Sequence, residues 1–255
     1  MPLTLKTNMR LNGIKTLLAA FASLALIMSC EEDTTLRYGN VTMGNMVEGT
    51  FISDQGNIFN VVEQTCKGDL SEHERSLIIC DVLQKTDDKT YDIKLHRIER
   101  VLAKPFVTQS EATEEMLVED PVDIYDAWCS GGYLNMYIVF YVKSGSETAH
   151  FINLIQDEST AKEGVYSFTL KHNAYGEVPG EENPTMILAG AYVSFPLSEI
   201  VKEDTAEIRL QWKWYAPENT DGEELQNYKG VVDWKKSLFE HTPSKTAKLS
   251  IASIN

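Results

Sequence analysis

The tryptophans near the end of the chain are the residues whose type and spacing best indicate a binding surface. Trp212 and Trp214 lie two positions apart where apolar and polar residues alternate, so in a strand both indoles face the same side. If that side faces solvent, these residues with Tyr215 and Trp234 form a platform on which a sugar or an apolar partner could stack. If it faces inward, they are core residues. The sequence leaves both alternatives open.

A second candidate is the polar pair His172 and Asn173, which follows a predicted strand and precedes Gly176. Their side chains could converge on a ligand, with Gly176 allowing a left-handed turn. Alternatively, they end the strand and hydrogen-bond the loop backbone, as is usual for asparagine and glycine in turns.

Catalytic chemistry has no comparable signal. There is no G-x-S-x-G elbow, no H-E-x-x-H pair and no phosphate-binding loop, and the five histidines show no paired spacing. The acidic segments 177–183 and 218–224 carry oxygen ligands for a weak calcium site, but they lack EF-hand spacing and are typical of solvated hairpin tips. We therefore predict a protein that is not an enzyme and has no metal or cofactor.

Cys66, Cys80 and Cys129 follow the N-terminal segment. In an oxidising compartment Cys66 and Cys80, which flank a loop between two predicted strands, are the pair that would form a disulfide. Cys80 also ends the apolar run Leu77–Cys80, where cysteine can be a plain buried side chain. No C-x-x-C or paired Cys/His spacing indicates structural zinc.

The N-terminal segment has the features of an export signal. Lys6, Arg10 and Lys15 precede the apolar run Leu17–Met28, which is shorter than the roughly 20 residues of a membrane-spanning helix. The run leads into I-M-S-C, ending at Cys30, which resembles the lipobox of bacterial lipoproteins. That resemblance implies cleavage before Cys30 and acyl chains on Cys30 that anchor the remaining chain in a membrane.

The predicted signal peptide thus covers residues 1–29, and a lipidated tether covers residues 30–37. Glu31, Glu32 and Asp33 follow the anchor directly. Acidic residues at this place resemble the surface-export signal of lipoproteins from Bacteroides-type bacteria; alternatively they are a solvated tether. We expect an outer-membrane lipoprotein at the cell surface or the periplasmic face.

The charge balance excludes one class of partner. The 255 residues carry a net charge of −15, and removing the signal, which holds three basic residues and no acid, makes it −18. Nucleic acid binding needs a basic surface, so we exclude nucleic acid. The expected partners are the membrane, through the lipid, and a protein or polysaccharide ligand.

The segments that must position these residues are predicted as strands. Asp54–Asn57 is a turn signal between the apolar runs Met46–Ser53 and Asn57–Gln64. The alternation that begins at Tyr91 slips at Arg97, which indicates a bulge.

The second half of the chain is also rich in strand patterns. Tyr133–Val142 is apolar nearly throughout, as in a strand covered on both faces, and Ile208–Trp214 alternates strictly. The acidic segment 109–123, closed by Pro121, interrupts the pattern and is predicted to be a linker with one short helical turn. The chain is therefore predicted to be all-β, with strands and turns typical of a β-sandwich.

Two segments carry a family resemblance: WCSGGYLNMYIVFYV from Trp128 and FTLKHNAYGE from Phe168 resemble the NigD-like lipoproteins of Bacteroides-type bacteria. In the first half, VEGTFISDQGNIFNVVE and TYDIKLHRIERV are similar to that family's N-terminal domain. The resemblance implies a small OB-like β-barrel at residues 38–108 and a β-sandwich at residues 124–255. It implies no established activity and no catalytic residues.

Together these observations predict a lipid-anchored protein of the cell envelope with a non-enzymatic binding or accessory role. Two alternatives stay open. The first is a structural or assembly subunit of an outer-membrane complex, in which exposed sheet edges would meet obligate partners. The second is a hydrolase whose site the sequence does not reveal, since 38 acidic residues always supply carboxylate pairs.

Overall fold

The computed structural model describes residues 40–160, 162–180, 182–183, 185–216, 224–237 and 239–241. The predicted signal peptide and tether, with Cys30 and Glu31–Asp33, lie outside these residues, as does most of the acidic segment 218–224. The described chain contains strands and three short 3-10 helices but no α-helix, which confirms the all-β prediction. The strands are β1 (Asn40–Val47), β2 (Thr50–Ser53), β3 (Ile58–Gln64), β4 (Arg75–Lys85), β5 (Thr90–Ala103), β6 (Val107–Thr108), β7 (Asp123–Ser130), β8 (Tyr133–Lys143), β9 (Phe151–Gln156), β10 (Val165–Asn173), β11 (Met186–Pro196), β12 (Glu207–Tyr215), β13 (Leu225–Asp233) and β14 (Phe239–His241).

The first five strands close into a barrel. β1 pairs antiparallel with β2 and β4, β2 pairs with β3, and β4 pairs with β5. A parallel pairing between β3 and β5 completes the ring, which gives the five-stranded order of an OB-like barrel. Phe51, Phe59, Ile78, Ile93 and Leu95 fill its interior.

The turns of the barrel follow the sequence in one place and depart from it in another. The N–H of Ser53 bonds to the carbonyl of Asn57 at 2.8 Å, which confirms the predicted hairpin turn. The predicted run Met46–Ser53 is instead two strands, because Glu48 and Gly49 both adopt positive φ, 50° and 81°. Two such residues form the tight turn that joins antiparallel strands.

β5 belongs to both halves of the molecule. Ile79 pairs with Arg97 and Cys80 with Leu95, so His96 is the bulged residue, one position before the predicted slip. A bulge bends its strand. Beyond it, the end of β5 pairs in parallel with β11, with Val101 opposite Tyr192.

The second half is a β-sandwich. One sheet continues from β5 through β11 and β8 to β7, and the other has the order β14-β13-β12-β10-β9-β6. Leu134, Met136 and Ile138 of β8 pack between the sheets with Ile208 and Leu210 of β12. The residues between β6 and β7 include a 3-10 helix at Glu114–Leu117.

A buried arginine joins the barrel to the sandwich, which together form one compact unit. Arg75 of β4 pairs with Asp54 at 2.8 Å, and their side chains are 1% and 2% exposed. Its other N–H groups donate to Asn45 in the barrel and to Asn135 and Ser194 in the sandwich. All five guanidinium donors are therefore satisfied, and the planar group holds the two halves in one orientation.

Candidate functional site

A groove with a volume of about 1210 Å³ lies at the junction of the barrel and the sandwich. Thr42 of β1, Gln55 of the turn between β2 and β3 and Leu77 of β4 line it from the barrel side. The other wall is the face of β7, β8 and β11 that points away from the sandwich core. Small-molecule pockets are typically roughly 300–1,000 Å³, so the groove has room for an extended ligand.

Aromatic side chains dominate the sandwich wall. Tyr125 and Trp128 come from β7, Tyr137 from β8 and Tyr192 from β11. The ring centroids of Tyr125 and Tyr137 are 5.9 Å apart, those of Tyr137 and Tyr192 4.8 Å, and those of Trp128 and Tyr192 6.4 Å. Tilted and edge-to-face contacts at these distances stabilise a continuous cluster. Tyr125 is 54% exposed, so its ring is available to a ligand.

The strand register brings these rings together. Tyr137 and Tyr192 are direct partners in the ladder between β8 and β11. The β7–β8 ladder shifts between Ile124 and Asp126, which leaves Tyr125 as the bulged residue. Gly190 makes room for the cluster, since a β-carbon there would lie 2.1 Å from the hydroxyl oxygen of Tyr137.

Among the described residues that line the groove, the charged ones are Asp54 and Asp126. Asp54 is held by Arg75 and accepts a hydrogen bond from Ser130. Asp126 is exposed, and its carboxylate accepts the N–H of Ala127 at 2.8 Å. The groove therefore presents one carboxylate that no basic side chain of its described lining neutralises.

The aromatic residues singled out by the sequence lie elsewhere. Trp212 and Trp214 are 2% and 4% exposed and belong to the sandwich core. The indole N–H of Trp212 donates to the buried Asp123 at 2.8 Å. Tyr215 and Trp234 are half-buried against the same core. Trp212 and Trp214 are therefore core residues and do not form a platform for a ligand.

His172 lies in a buried chain of hydrogen bonds rather than at a ligand site. Its Nδ1 is 2.9 Å from the carbonyl oxygen of Pro121, and its Nε2 is 2.9 Å from Nδ1 of His150. Burial lowers the pKa of His172 to about 4, so the ring is neutral at neutral pH. Because Nδ1 must donate to the carbonyl, Nε2 accepts from His150.

Glu177 ends this chain. Its carboxylate accepts hydrogen bonds from the hydroxyl of Ser146 and the backbone N–H of Lys143, which lower its pKa to about 2. Nε2 of His150 is 3.4 Å from this ionised group. The chain of contacts therefore runs from the carbonyl of Pro121 through His172 and His150 to Glu177.

Asn173 has the turn role that the sequence offered as an alternative. Its side-chain oxygen accepts the N–H of Tyr175 at 2.9 Å. Tyr175 and Gly176 adopt positive φ, 51° and 87°, and turn the chain away from the strand. Asn173 and His172 are both absent from the described lining of the groove.

Cys66 and Cys80 both pack at the barrel core and are not joined by a disulfide. Burial raises the pKa of the Cys80 thiol to about 11 and that of the Cys129 thiol to about 12. Protonated, buried thiols behave as small apolar side chains. Cys80 is therefore a plain buried side chain rather than a disulfide partner of Cys66.

The part of the chain that the structure describes shows neither a metal-binding cluster nor a membrane-spanning helix. Within it, no group of three or more histidine, cysteine, aspartate or glutamate side chains is placed to hold a metal ion. None of its helices has the length and apolar character needed to cross a membrane.

Comparison with known families identifies the second half of the chain. Residues 105–226 match the NigD-like C-terminal beta sandwich domain. The match covers a little under half of the 255 residues and supports the NigD-like family for this part of the chain. The family resemblance noted in the sequence is thereby confirmed. No curated protein matches the chain.

Solved structures share the fold of this chain. One is a protein from Parabacteroides distasonis that is proposed to be toxin-related. It aligns with a TM-score of 0.52 at 23% identity, and the alignment covers 77% of this chain and 92% of that one. A NigD-like immunity protein from Bacteroides caccae aligns with a TM-score of 0.53 at 17% identity, and the alignment covers 80% of this chain and 97% of that one. A protein from Bacteroides fragilis that is proposed to be a lipoprotein aligns with a TM-score of 0.53 at 15% identity. The alignment covers 76% of this chain and 96% of that one. At these identities the similarity shows the fold alone.

Proposed function

We propose that this NigD-like chain is a lipid-anchored protein of the cell envelope that binds a protein or polysaccharide partner in its groove and does not act as an enzyme. The observation that carries the proposal is the aromatic wall formed by Tyr125, Trp128, Tyr137 and Tyr192 along a groove of about 1210 Å³. Large concave apolar surfaces with a few polar groups are the usual location of ligand sites.

The fixed junction supports a binding role. Arg75 bonds both halves of the molecule, so the groove has one shape before any ligand arrives. A preformed site loses less conformational freedom on binding than a flexible one, and this increases affinity.

The membrane anchor is supported by the sequence I-M-S-C, which ends at Cys30. It is also supported by a Bacteroides fragilis protein of the same fold that is proposed to be a lipoprotein. The non-enzymatic part is supported by the state of the candidate nucleophiles and bases. The thiols of Cys80 and Cys129 have raised pKa values, and His172 is enclosed.

Photo-crosslinking in intact cells tests this function. Tyr125 is replaced by the photoreactive residue p-benzoylphenylalanine, and Tyr175, 49% exposed but outside the groove, is replaced in the control. We expect irradiation to give an adduct of higher mass at position 125 and none at position 175. The additional substitution Tyr192→Ala should abolish the adduct, because it removes part of the aromatic wall.

An adduct that forms equally at both positions, or at neither, would contradict the proposal. An adduct at position 125 that persists unchanged in the Tyr192→Ala chain would also count against it, because the contact would then not depend on the groove.

A further inference from the structure

We propose that the occupant of the groove is a basic polypeptide segment, with a lysine or arginine side chain inserted between the tyrosine rings and Asp126. This inference rests on the proposed binding function and names its ligand class. It follows from the charge of the groove, the geometry of its rings and the apolar character of its mouth.

The charge of the groove selects a cation. Asp54 is neutralised by Arg75, whereas the exposed carboxylate of Asp126 has no basic partner among the described residues. Arg97 lies close enough to influence Tyr192, but it is engaged by Glu99. The unbalanced charge in the groove is therefore negative, and a ligand with positive charge restores the balance.

The rings offer a second attraction for a cation. The faces of aromatic rings attract ammonium and guanidinium groups within about 6 Å of the ring centroid. The centroids of Tyr125 and Tyr137 are 5.9 Å apart, and those of Tyr137 and Tyr192 4.8 Å, so one cationic group can lie near more than one ring. Burial raises the pKa of Tyr192, which keeps its phenol neutral.

The mouth of the groove favours polypeptide over polysaccharide. Val41 and Ile187 are 63% and 53% exposed, and Leu77 and Val142 continue the aliphatic lining. Sugar hydroxyls placed against these side chains would lose hydrogen bonds to water without replacement. Apolar side chains on either side of a basic residue would instead gain from burial there.

The charge of the whole chain acts in the same direction. A net charge of −15 attracts basic partners over a distance and raises their association rate, an effect that salt weakens.

Calorimetric titration of the purified full chain in detergent tests the inference. The ligands are an acetylated octapeptide of alternating leucine and lysine, the same peptide with glutamine for lysine, the same with glutamate, and a neutral hexasaccharide such as maltohexaose. We expect the lysine peptide to bind at least about tenfold more tightly than the glutamine peptide, the glutamate peptide and hexasaccharide not to bind, and 0.5 M salt to weaken binding.

A matched pair of variants localises the effect. Asp126→Asn removes the carboxylate but keeps an acceptor for the N–H of Ala127, and we expect about tenfold weaker binding of the lysine peptide. Asp88→Asn removes the same charge from an exposed side chain outside the groove and should leave binding unchanged.

Two results overturn the inference while leaving the proposed function intact: equal binding of the lysine and glutamine peptides, or binding of the hexasaccharide alone. Equal losses in the Asp126→Asn and Asp88→Asn chains would overturn it too, because the attraction would then belong to net charge rather than to the groove. Failure of all four ligands, together with no crosslink at position 125, would overturn the inference and the function together.

Discussion

At the residue scale, two buried polar networks have different consequences. Arg75 and Asp54 are mutually neutralised and fully hydrogen-bonded, so their contribution is orientation of the two halves. In the chain from His172 through His150 to Glu177, burial lowers the pKa of His172 to about 4, so the contribution of this network changes in acid.

We expect His172 to make folding sensitive to mild acid. Burial lowers its pKa to about 4, against about 6.5 in the unfolded chain, so the unfolded state takes up a proton first as the pH falls. The stability contributed by the neutral ring is complete above pH 6.5 and is lost progressively down to pH 4. Between pH 7 and pH 5 the loss is about 2 kcal/mol. Urea unfolding at pH 7 and at pH 5 measures this loss in the free energy of unfolding.

The control for this prediction is another histidine. His172→Gln should remove the pH dependence, whereas His73→Gln, at a less buried position, should keep it. Proton resonances of His172 that shift between pH 7 and pH 5 in the native protein would show directly that its ring titrates too high, and the prediction would be wrong.

Single residues also show what sequence can and cannot predict. The alternation around Trp212 and Trp214 correctly indicates a strand with both indoles on one face. Which face is covered depends on the opposing sheet, to which Leu134 and Met136 of β8 belong, and no local pattern specifies that partner.

At the scale of elements, the contact between β8 and β11 determines the shape of the aromatic wall. Tyr137 reaches over Gly190, where any side chain would meet its hydroxyl group. The glycine in this strand therefore serves close packing, since its backbone is extended and needs no left-handed conformation.

Gly190→Ala should displace the Tyr137 ring and destabilise the protein by about 1–3 kcal/mol, the usual cost of overpacking. Gly180→Ala is the matched control, because a β-carbon at Gly180 meets nothing within 4 Å, and its effect should stay within about 0.5 kcal/mol. Urea unfolding compares the two chains. Equal stability of both variants would contradict the packing described for Tyr137.

The elements themselves could be predicted better than their pairing. The hairpin at Asp54–Asn57 and the bulge in β5 follow from short patterns of turn residues and alternation. The turn at Glu48–Gly49 escaped because one glutamate and one glycine within an otherwise strand-like run are a weak turn signal. The groove escaped altogether, since its rings come together only through the register of β7 with β8 and the pairing of β8 with β11, which is far away in the sequence.

At the scale of the whole molecule, the proposed anchor and the net charge of −15 define how the domains meet their surroundings. Acyl chains on Cys30 would contribute about 0.8 kcal/mol per buried methylene group and hold an acidic protein beside a membrane that its surface would not bind alone.

Cys30→Ala should abolish incorporation of labelled fatty acid into the chain, because it removes the thiol that carries lipid. Cys66→Ala is the control, and its chain should label like the wild type. Labelled fatty acid in the Cys30→Ala chain would refute the lipobox assignment. Protease treatment of intact cells, with a lysed control, then distinguishes the cell surface from the periplasmic face and shows whether Glu31, Glu32 and Asp33 accompany export.

The shared strand β5 also has a consequence for the order in which the protein is built. Every ladder of the barrel closes between residues 40 and 103, whereas the ladder that joins the barrel to the sandwich pairs Val101 with Tyr192, which the ribosome adds much later. Pairings between distant residues form slowly. The barrel can therefore be complete while the sandwich is still being synthesised, and the end of β5 is then the edge on which β11 pairs once it has been made.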